Sequence, residues 1–306
     1  MPSAAVKEFL QPSSPQEVVE LLVKYRERAL VVGGGTFLHG IIARGLLGQM
    51  DVLIDLQKVG LSYVKYEHDT LCIGATTTFA ELAASERVQN SPELGAVLDA
   101  LCYPPAQIRN MATVAGCVAS ATPLFDLPVA LMALDGAVRA AGPKGSREIG
   151  LHKFYLDYFE HVLERTELIT EILVLRQPSR SASAFLKLET NANDLALLNV
   201  AVRITVDQKG TCRDARVVVG GGIGKVPVRA VSCEDVLKGQ HPTAALLKES
   251  GNVVAFDIHP VSDYRTSAKY RSTVAKVFVR RALLRALDRL GMQGRAILRK
   301  VAGNST

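Results

Sequence analysis

Apolar positions recur with helical spacing soon after the start of the chain. Val18, Val19, Leu21, Leu22 and Tyr25 form a stripe. Ser14 stands where a cap belongs, Pro15 suits the first helical position, and Glu17 closes a Ser-x-x-Glu capping box. The pattern then changes to the continuous apolar run Ala29, Leu30, Val31, Val32, which predicts a short buried strand. That strand runs directly into Gly33-Gly34-Gly35-Thr36, a further helix is predicted to follow, and residues 52–56 read as a second strand. The opening is β/α in character.

The middle section differs. Residues 63–66 and 70–73 read as strands. Thr78 and Glu81 form another capping box, predicting a helix to about Val88, and Ser91-Pro92 opens one to about Leu101. Residues 113–119 are small and apolar, 127–134 look helical, 137–141 and 168–175 look like strands. The polar stretch from Gln177 to Ser183 breaks the pattern and predicts a domain boundary. Beyond it, strand patterns at 184–188, 197–206 and 215–219 lead into helices. The last helix, roughly 272–290, places Val274, Val277, Phe278, Leu284 and Leu287 on one side, with Gly291 as its C-terminal cap. No internal repeat is present.

Composition narrows the function classes. Of 306 residues 48% are apolar and 22% charged, enough to bury a sizeable core and against disorder as the main state. Tryptophan is absent and aromatics are 6%, which disfavours aromatic platforms for sugars or single strands. The net charge of +6 is uneven. Residues 265–306 hold eleven Lys/Arg against one acid, Asp288, leaving 25 bases against 29 acids before them. A basic terminal segment on a mildly acidic body does not describe a nucleic-acid-binding domain, and a solvated helix face is the expectation for it. Docking of a partner subunit on that helix is the other reading.

Cys72, Cys102, Cys117, Cys212 and Cys233 are scattered, with no CxxC pair, and the six histidines form no HxH or HExxH pattern. No metal role is assigned to them, and isolated thiols point to a reducing cytoplasm. The N-terminus has no apolar h-region, so no signal peptide is expected. The longest uncharged run, 110–125, contains Gly116 and Pro123, so no transmembrane segment is expected.

Candidate chemistry lies in the glycine-rich segments. Consecutive glycines after a strand let backbone amides approach a phosphate closely, but a tight strand-to-helix turn without ligand explains Gly33 to Thr36 equally well. A Rossmann fingerprint is incomplete: Gly33-x-Gly35 and Asp55 suit it, yet the third glycine position is Leu38. A P-loop is excluded, since no Gly-Lys-Ser/Thr follows. The second segment, 107–128, is dominated by small residues from Ala112 to Thr122. Thr113 offers a hydroxyl, Gly116 a bare amide and Asp126 an acceptor; tight packing of a buried loop is the alternative.

The order of several motifs along nearly the whole chain resembles the FAD-binding medium subunit of the molybdenum hydroxylases, the xanthine dehydrogenase and carbon monoxide dehydrogenase family. They are Val32-Gly33-Gly34-Gly35-Thr36, Ile73-Gly74-Ala75-Thr76-Thr77-Thr78, the run from Gln107 to Asp126, and Glu167-Leu168-Ile169-Thr170-Glu171-Ile172. Farther on stand Gly220-Gly221-Gly222-Ile223-Gly224, Pro227-Val228-Arg229-Ala230 and Ser267-x-x-Tyr270-Arg271. The resemblance implies an α+β fold: a two-subdomain FAD-binding module of the vanillyl-alcohol-oxidase (PCMH) type over 1–177, with subdomains about 1–58 and 59–177. A small α/β C-terminal domain over 178–290 and a tail over 291–306 follow.

The resemblance also implies the site. Val32, Gly33, Gly34, Gly35, Thr36 and Phe37, with Thr113, Ala115, Gly116 and Cys117, match the two loops that hold the FAD pyrophosphate. Tyr103, Asp126 and Ile169 match further FAD contacts, and Lys187 matches a lysine that approaches the cofactor. A cation there suits the negative charge of a reduced flavin, whereas on the residues alone Lys187 reads as a strand lysine pairing with Glu189 or Asp194. No residue of this chain is expected to act on an organic substrate. Two sequence departures stand out. The family's Gly-Gly-Asn is Ala115-Gly116-Cys117 here, adding a methyl where backbone is expected against phosphate and losing an amide side chain. An arginine-rich stretch after the lysine is replaced by Leu188-Glu189-Thr190-Asn191.

The implied function is electron transfer. A small partner subunit with two-iron two-sulfur clusters and a large one with the molybdenum cofactor would supply electrons, which FAD in this chain passes to a terminal acceptor. The alternatives are an FAD-free structural subunit of the same fold, motivated by Ala115 and Cys117, and a stand-alone NAD-dependent dehydrogenase.

Overall fold

Ser14 begins the first helix as its sequence requires. Its Oγ accepts the amide of Glu17 at 3.2 Å, and helix Pro15–Tyr25 buries Val18, Val19 and Leu22. The Glu17 carboxylate, however, returns to the amide and hydroxyl of Ser13 rather than to Ser14, so the reciprocal half of the box sits one residue early. The computed structural model describes residues 6–43, 50–191 and 194–292. The expected tail lies outside the described residues from 293 onward.

The chain divides into two compact units. The first comprises residues 1–85, 104–121 and 136–175, and the second 86–103, 122–135 and 176–306. In the first unit, strands Glu8–Leu10, Val52–Asp55 and Ala29–Val32 form a three-stranded sheet with Val52–Asp55 central and both pairings parallel. A second sheet has five strands, in the order Val64–Glu67, Thr70–Gly74, Leu168–Leu175, Ala137–Gly142, Gly145–Gly150, all antiparallel. Its middle strand, Leu168–Leu175, alternates too little to have one wet face; seven of its eight residues are at least partly buried. Glu171 interrupts that apolar run and is itself buried. The Tyr63 hydroxyl donates to its Oε1 at 2.7 Å, and Arg139 pairs with its Oε2.

The capping box at Thr78 is complete: Oγ1 accepts the Glu81 amide at 3.2 Å while Glu81 Oε2 accepts the Thr78 amide at 2.7 Å. The helix that it opens, Phe79–Ala84, is shorter than the expected run to Val88, because Ser85 turns extended before a separate helix, Glu86–Gln89. Likewise Pro92–Leu94 is a 3₁₀ turn that precedes helix Gly95–Leu101.

The second unit is built on a four-stranded antiparallel meander, Ser181–Leu188, Leu198–Val206, Cys212–Gly220 and Val228–Arg229. The first strand starts inside the polar stretch read as a break. Ser181 and Ser183 are tolerated there because Ser181 Oγ lies 2.7 Å from Thr205 Oγ1, and Ser183 Oγ donates to the Glu93 carbonyl at 2.6 Å. Every residue of Leu198–Val206 is buried. One side, Leu198, Val200, Val202, Ile204 and Val206, joins a core with Ala275, Val279, Leu283 and Leu287 of helix Ala268–Arg289 and with helices Val231–Leu237 and Ala244–Val253. The other side meets Gly95–Leu101 and Leu127–Ala133. Segments 86–103 and 122–135 thus pack with the C-terminal part of the chain rather than with their sequence neighbours.

The last helix corrects two expectations. It begins at Ala268, four residues early, because Ser267 caps it through the Tyr270 amide at 3.2 Å. Its buried stripe runs through Arg271, Ala275, Val279, Leu283 and Leu287, while Val274 and Phe278 sit at the edge, partly buried. Nor is its basic face simply solvated. Arg271 is fully buried, donating through Nε to the Leu197 carbonyl at 2.9 Å, through Nη1 to the Val261 carbonyl, and through Nη2 to Asp263 Oδ2 at 2.8 Å. Arg285 and Arg289 both converge on the buried Asp99, at 2.5 and 2.7 Å from its Oδ1. The glycine run 220–222 serves this packing: Gly221 and Gly222 have φ of +70° and +58°, and a Cβ on Gly222 would lie 2.5 Å from the Arg271 guanidinium carbon.

Candidate functional site

Strand Ala29–Val32 delivers the chain into the glycine turn, and helix Thr36–Ala43 leaves it. Gly35 has φ +67°, a conformation costly for any other residue. Gly34 is needed for a different reason. A Cβ there would lie 1.6 Å from the Met111 carbonyl oxygen, and one on Gly33 would lie 2.7 Å from Thr113 Oγ1. The first two glycines therefore let the second loop approach the first; they do not merely leave room for a ligand. The turn and the helix after it are only half-buried. The first amides of any helix lack intrahelical partners, and the helix Thr36–Ala43 starts at this half-buried turn.

The second loop is held from behind. Thr113 bridges to Thr78, the Val114 amide donates to the Thr77 carbonyl at 2.9 Å, and the Ala115 amide to the Ala75 carbonyl at 3.3 Å. Thr113 Oγ1 caps the short helix Val114–Ala119 through the Gly116 amide at 3.2 Å, and the Cys117 amide donates to the Thr113 carbonyl at 2.9 Å. The glycine-alanine-threonine motif at 74–78 is thereby explained as the support of this loop. Ala115 and Cys117 are buried, whereas Gly116 is exposed. The extra methyl of Ala115 is accordingly buried and not exposed at the surface. Gly116 is the point of the loop that faces solvent.

Beside Cys117 stands Tyr155, whose hydroxyl is buried without a hydrogen-bond partner. Burial, then the charge of a Cys117 thiolate, pushes this phenol well above its usual range. Ile169 is 4% exposed and lies at a bulge of Leu168–Leu175, opposite Ala140, so its side chain belongs mainly to the core. Phe37, in the first turn of its helix, stacks on Phe159 with ring centroids 6.0 Å apart. Asp55 does not serve as a ribose acceptor of Rossmann type. It is buried, and its two oxygens accept from Gln11 Nε2 at 2.9 Å and from the Gln57 amide at 3.1 Å.

The remaining expected site residues gather in the second unit. Lys187, on strand Ser181–Leu188, has a side chain only 4% exposed, and its Nζ lies 3.0 Å from Asp126 Oδ2 and 3.2 Å from Glu189 Oε2. Glu189 is the neighbour that the sequence suggested; Asp126, 61 positions away, is not. The Tyr103 hydroxyl accepts the Lys187 amide at 3.2 Å, and Nζ stands 5.2 Å from the centre of that ring. Burial pushes the Tyr103 phenol up. Asp126 precedes helix Leu127–Ala133, and its Oδ1 accepts from Asn199 Nδ2 at 2.9 Å. Burial raises the Asp126 carboxyl, against the opposing pull of the Lys187 ammonium and the Asn199 amide. Asn199 is fully buried and also donates to the Phe125 carbonyl at 3.2 Å. Sequence reasoning missed it, since a lone Asn in an apolar strand carries no local signal.

Among the described residues no group of three or more His, Cys, Asp or Glu is arranged to hold a metal, and no helix is long and apolar enough to cross a membrane.

Comparisons with known proteins agree over almost the full length. Residues 4–174 match the family described as the FAD binding domain in molybdopterin dehydrogenase, and residues 183–286 the CO dehydrogenase flavoprotein C-terminal domain. Among curated proteins, the 6-hydroxypseudooxynicotine dehydrogenase complex subunit alpha of Paenarthrobacter nicotinovorans is 30% identical, covering 92% of this chain and 95% of its own. The carbon monoxide dehydrogenase medium chain of Afipia carboxidovorans is 29% identical, covering 92% and 97%. Among solved structures, reconstituted CO dehydrogenase from Oligotropha carboxidovorans superposes with a TM-score of 0.88 at 28% identity, covering 94% of this chain and all of that one. The α+β architecture and both halves of the resemblance are thereby established. The chain belongs to the FAD-binding medium subunits of the molybdenum hydroxylases, and is the flavoprotein component of an oxidoreductase.

Proposed function

We propose that this chain holds FAD and relays electrons within a complex with two other subunits, a small one carrying two-iron two-sulfur clusters and a large one carrying the molybdenum cofactor. The relatives named as medium chains or complex subunits support that arrangement. The observation that carries the reading is the approach of the two loops, Gly34 against the Met111 carbonyl and Gly33 against Thr113, beside the first turn of helix Thr36–Ala43. A diphosphate requires clustered amide donors and no bulky side chain, and this rim fits it.

Val32, Gly33, Gly34, Gly35, Thr36 and Phe37 would bind the pyrophosphate, together with Thr113, Ala115, Gly116 and Cys117. Ala115 and Cys117 would act by shaping the loop from inside, because both are buried. Ile169, Tyr103 and Asp126 would orient the rest of the cofactor, and Lys187 would supply positive charge. When bound, FAD supplies exchange of one or two electrons. We place the FAD-binding domain at 1–177, with subdomains about 1–58 and 59–177, the C-terminal domain at 178–290 and a tail at 291–306; the family matches at 4–174 and 183–286 support the main division. Five cysteines, none of them in a disulfide, support a reducing, cytoplasmic setting.

The FAD-free alternative drew on Ala115 and Cys117, whose buried side chains remove its main motive. The NAD-dependent alternative loses Asp55 to Gln11 and Gln57. The test is the visible spectrum and metal content of the full chain purified with whatever accompanies it. One FAD per chain, with iron and molybdenum only in co-purifying subunits, is the expected result. A colourless chain that fails to take up added FAD overturns the reading.

A further inference from the structure

The charge balance around Lys187 is lopsided. One ammonium, its side chain 4% exposed, faces two carboxylates at 3.0 and 3.2 Å. The two are not equivalent. Asp126 is built in: its Oδ1 is held by Asn199 Nδ2, and Asn199 is anchored in turn on the Phe125 carbonyl. Asp126 is the counter-ion fixed by its own hydrogen bond. Glu189 is surplus. Its Oε2 is buried yet makes no hydrogen bond, and the ammonium of Lys187 is the cation beside it. A carboxylate kept in such a position, one residue past the end of strand Ser181–Leu188, acts through its charge rather than as a structural hydrogen-bond acceptor.

Two carboxyl groups therefore face one ammonium in a half-dry environment, where charges are poorly screened. A redox group beside this cluster gains negative charge when it is reduced. Lys187 favours that reduction, and Glu189 opposes it by cancelling the field of Lys187.

We propose that Glu189 is a positioning residue that holds down the reduction potential of the bound flavin by neutralising Lys187. This rests on the reading that Lys187 faces FAD. Tyr103 is part of the same device. Its hydroxyl fixes the strand backbone at Lys187, and its ring lies under the ammonium, so the cation keeps a defined place between its partners.

The test is the midpoint potential of FAD in the full chain, measured by equilibration with reference dyes, for the wild type, Glu189→Gln, Glu189→Ala and Lys187→Gln. Both Glu189 variants are expected to raise the potential. The ratio of reduced to oxidised flavin at fixed poise should rise on the order of tenfold, which is about 30 mV for a two-electron couple. Lys187→Gln is expected to lower it.

If Lys187→Gln shifts the potential and neither Glu189 variant does, the role of Glu189 is overturned and the placement of Lys187 stands. If no variant shifts it, the placement of Lys187 falls, and the inference with it. A fall in potential in Glu189→Gln overturns the sign of the proposal. Should Lys187→Gln lose its FAD, the placement of Lys187 is upheld and the two Glu189 variants decide.

Discussion

The glycine turn at 33–36 and the cluster around Lys187 are constructed on opposite principles. The turn is made of backbone. Its shape follows from residues adjacent in sequence, and its one long-range requirement is that Met111 and Thr113 come close, which glycine permits by having no side chain. The cluster is made of side chains drawn from positions 103, 126, 187, 189 and 199, with Asp126, Lys187 and Asn199 buried and Tyr103 and Glu189 partly so, and each depends on another for its geometry. A backbone site tolerates varied neighbours but no added Cβ. A side-chain site tolerates small shape changes but not a missing partner, because one loss leaves another polar group unpaired in the interior.

Adding bulk to the turn should have the largest effect. Gly34→Val forces the Met111–Thr113 backbone away. We expect loss of FAD retention together with about 3 kcal/mol or more of stability, read by flavin absorbance after gel filtration and by urea unfolding. Gly40→Ala, where a Cβ meets nothing within 4 Å, is the control and should retain FAD. Normal retention in Gly34→Val would mean that the two loops need not touch.

Removing a shared partner in the second unit should come next. Asp99 binds two arginines and the Phe185 amide, at 3.0 Å from its Oδ2. Asp99→Ala should cost about 3 kcal/mol in urea unfolding, since it leaves the Phe185 amide and the largely buried Arg289 without their acceptor, while Arg285 turns to solvent. A cost under about 1 kcal/mol would show that the basic face of the last helix is solvated after all.

Asn199→Ala should follow, at about 1–3 kcal/mol, because Asp126 loses a donor in a fully buried place. Its sharper signature is FAD affinity. The variant should bind FAD more weakly while Asn199→Asp, which sets a second carboxylate against Asp126, does worse. Equal affinities across the three would detach Asn199 from the cofactor.

The smallest effect is on thiol chemistry. Burial, then nearby carboxylates, pushes the Cys212 and Cys233 thiols up to about 12, so at pH 8 both stay protonated. The exposed Cys102 should therefore be the first of the five to react with a thiol reagent, the two buried groups lagging until unfolding. Rapid modification of Cys212 or Cys233 in the folded chain would show that the second unit opens locally.

Much of the fold is legible because it is local. The caps at Ser14 and Thr78, the run at 29–32 and the strand at 168–175 follow from residues a few positions apart, and all appear where the pattern places them. The misread polar residues of the second unit share one cause. Ser181 and Ser183 look like linker residues until Thr205 and the Glu93 carbonyl satisfy their hydroxyls. The basic helix looks solvated until Asp99 and Asp263 are brought to it.

The chain's sequence by itself determined the glycine turns, the order of motifs that identifies the family, and the residue types needed to hold a diphosphate. Backbone conformation and capping act over a few residues, so a linear reading captures them. Only the tertiary structure decided that Gly34 is demanded by Met111, that Ala115 has its methyl buried, and that Lys187 pairs with Asp126 as well as with its neighbour Glu189. Those outcomes depend on which segments distant in sequence pack together, as Asp126 and Lys187 do, and on which buried polar group each one satisfies.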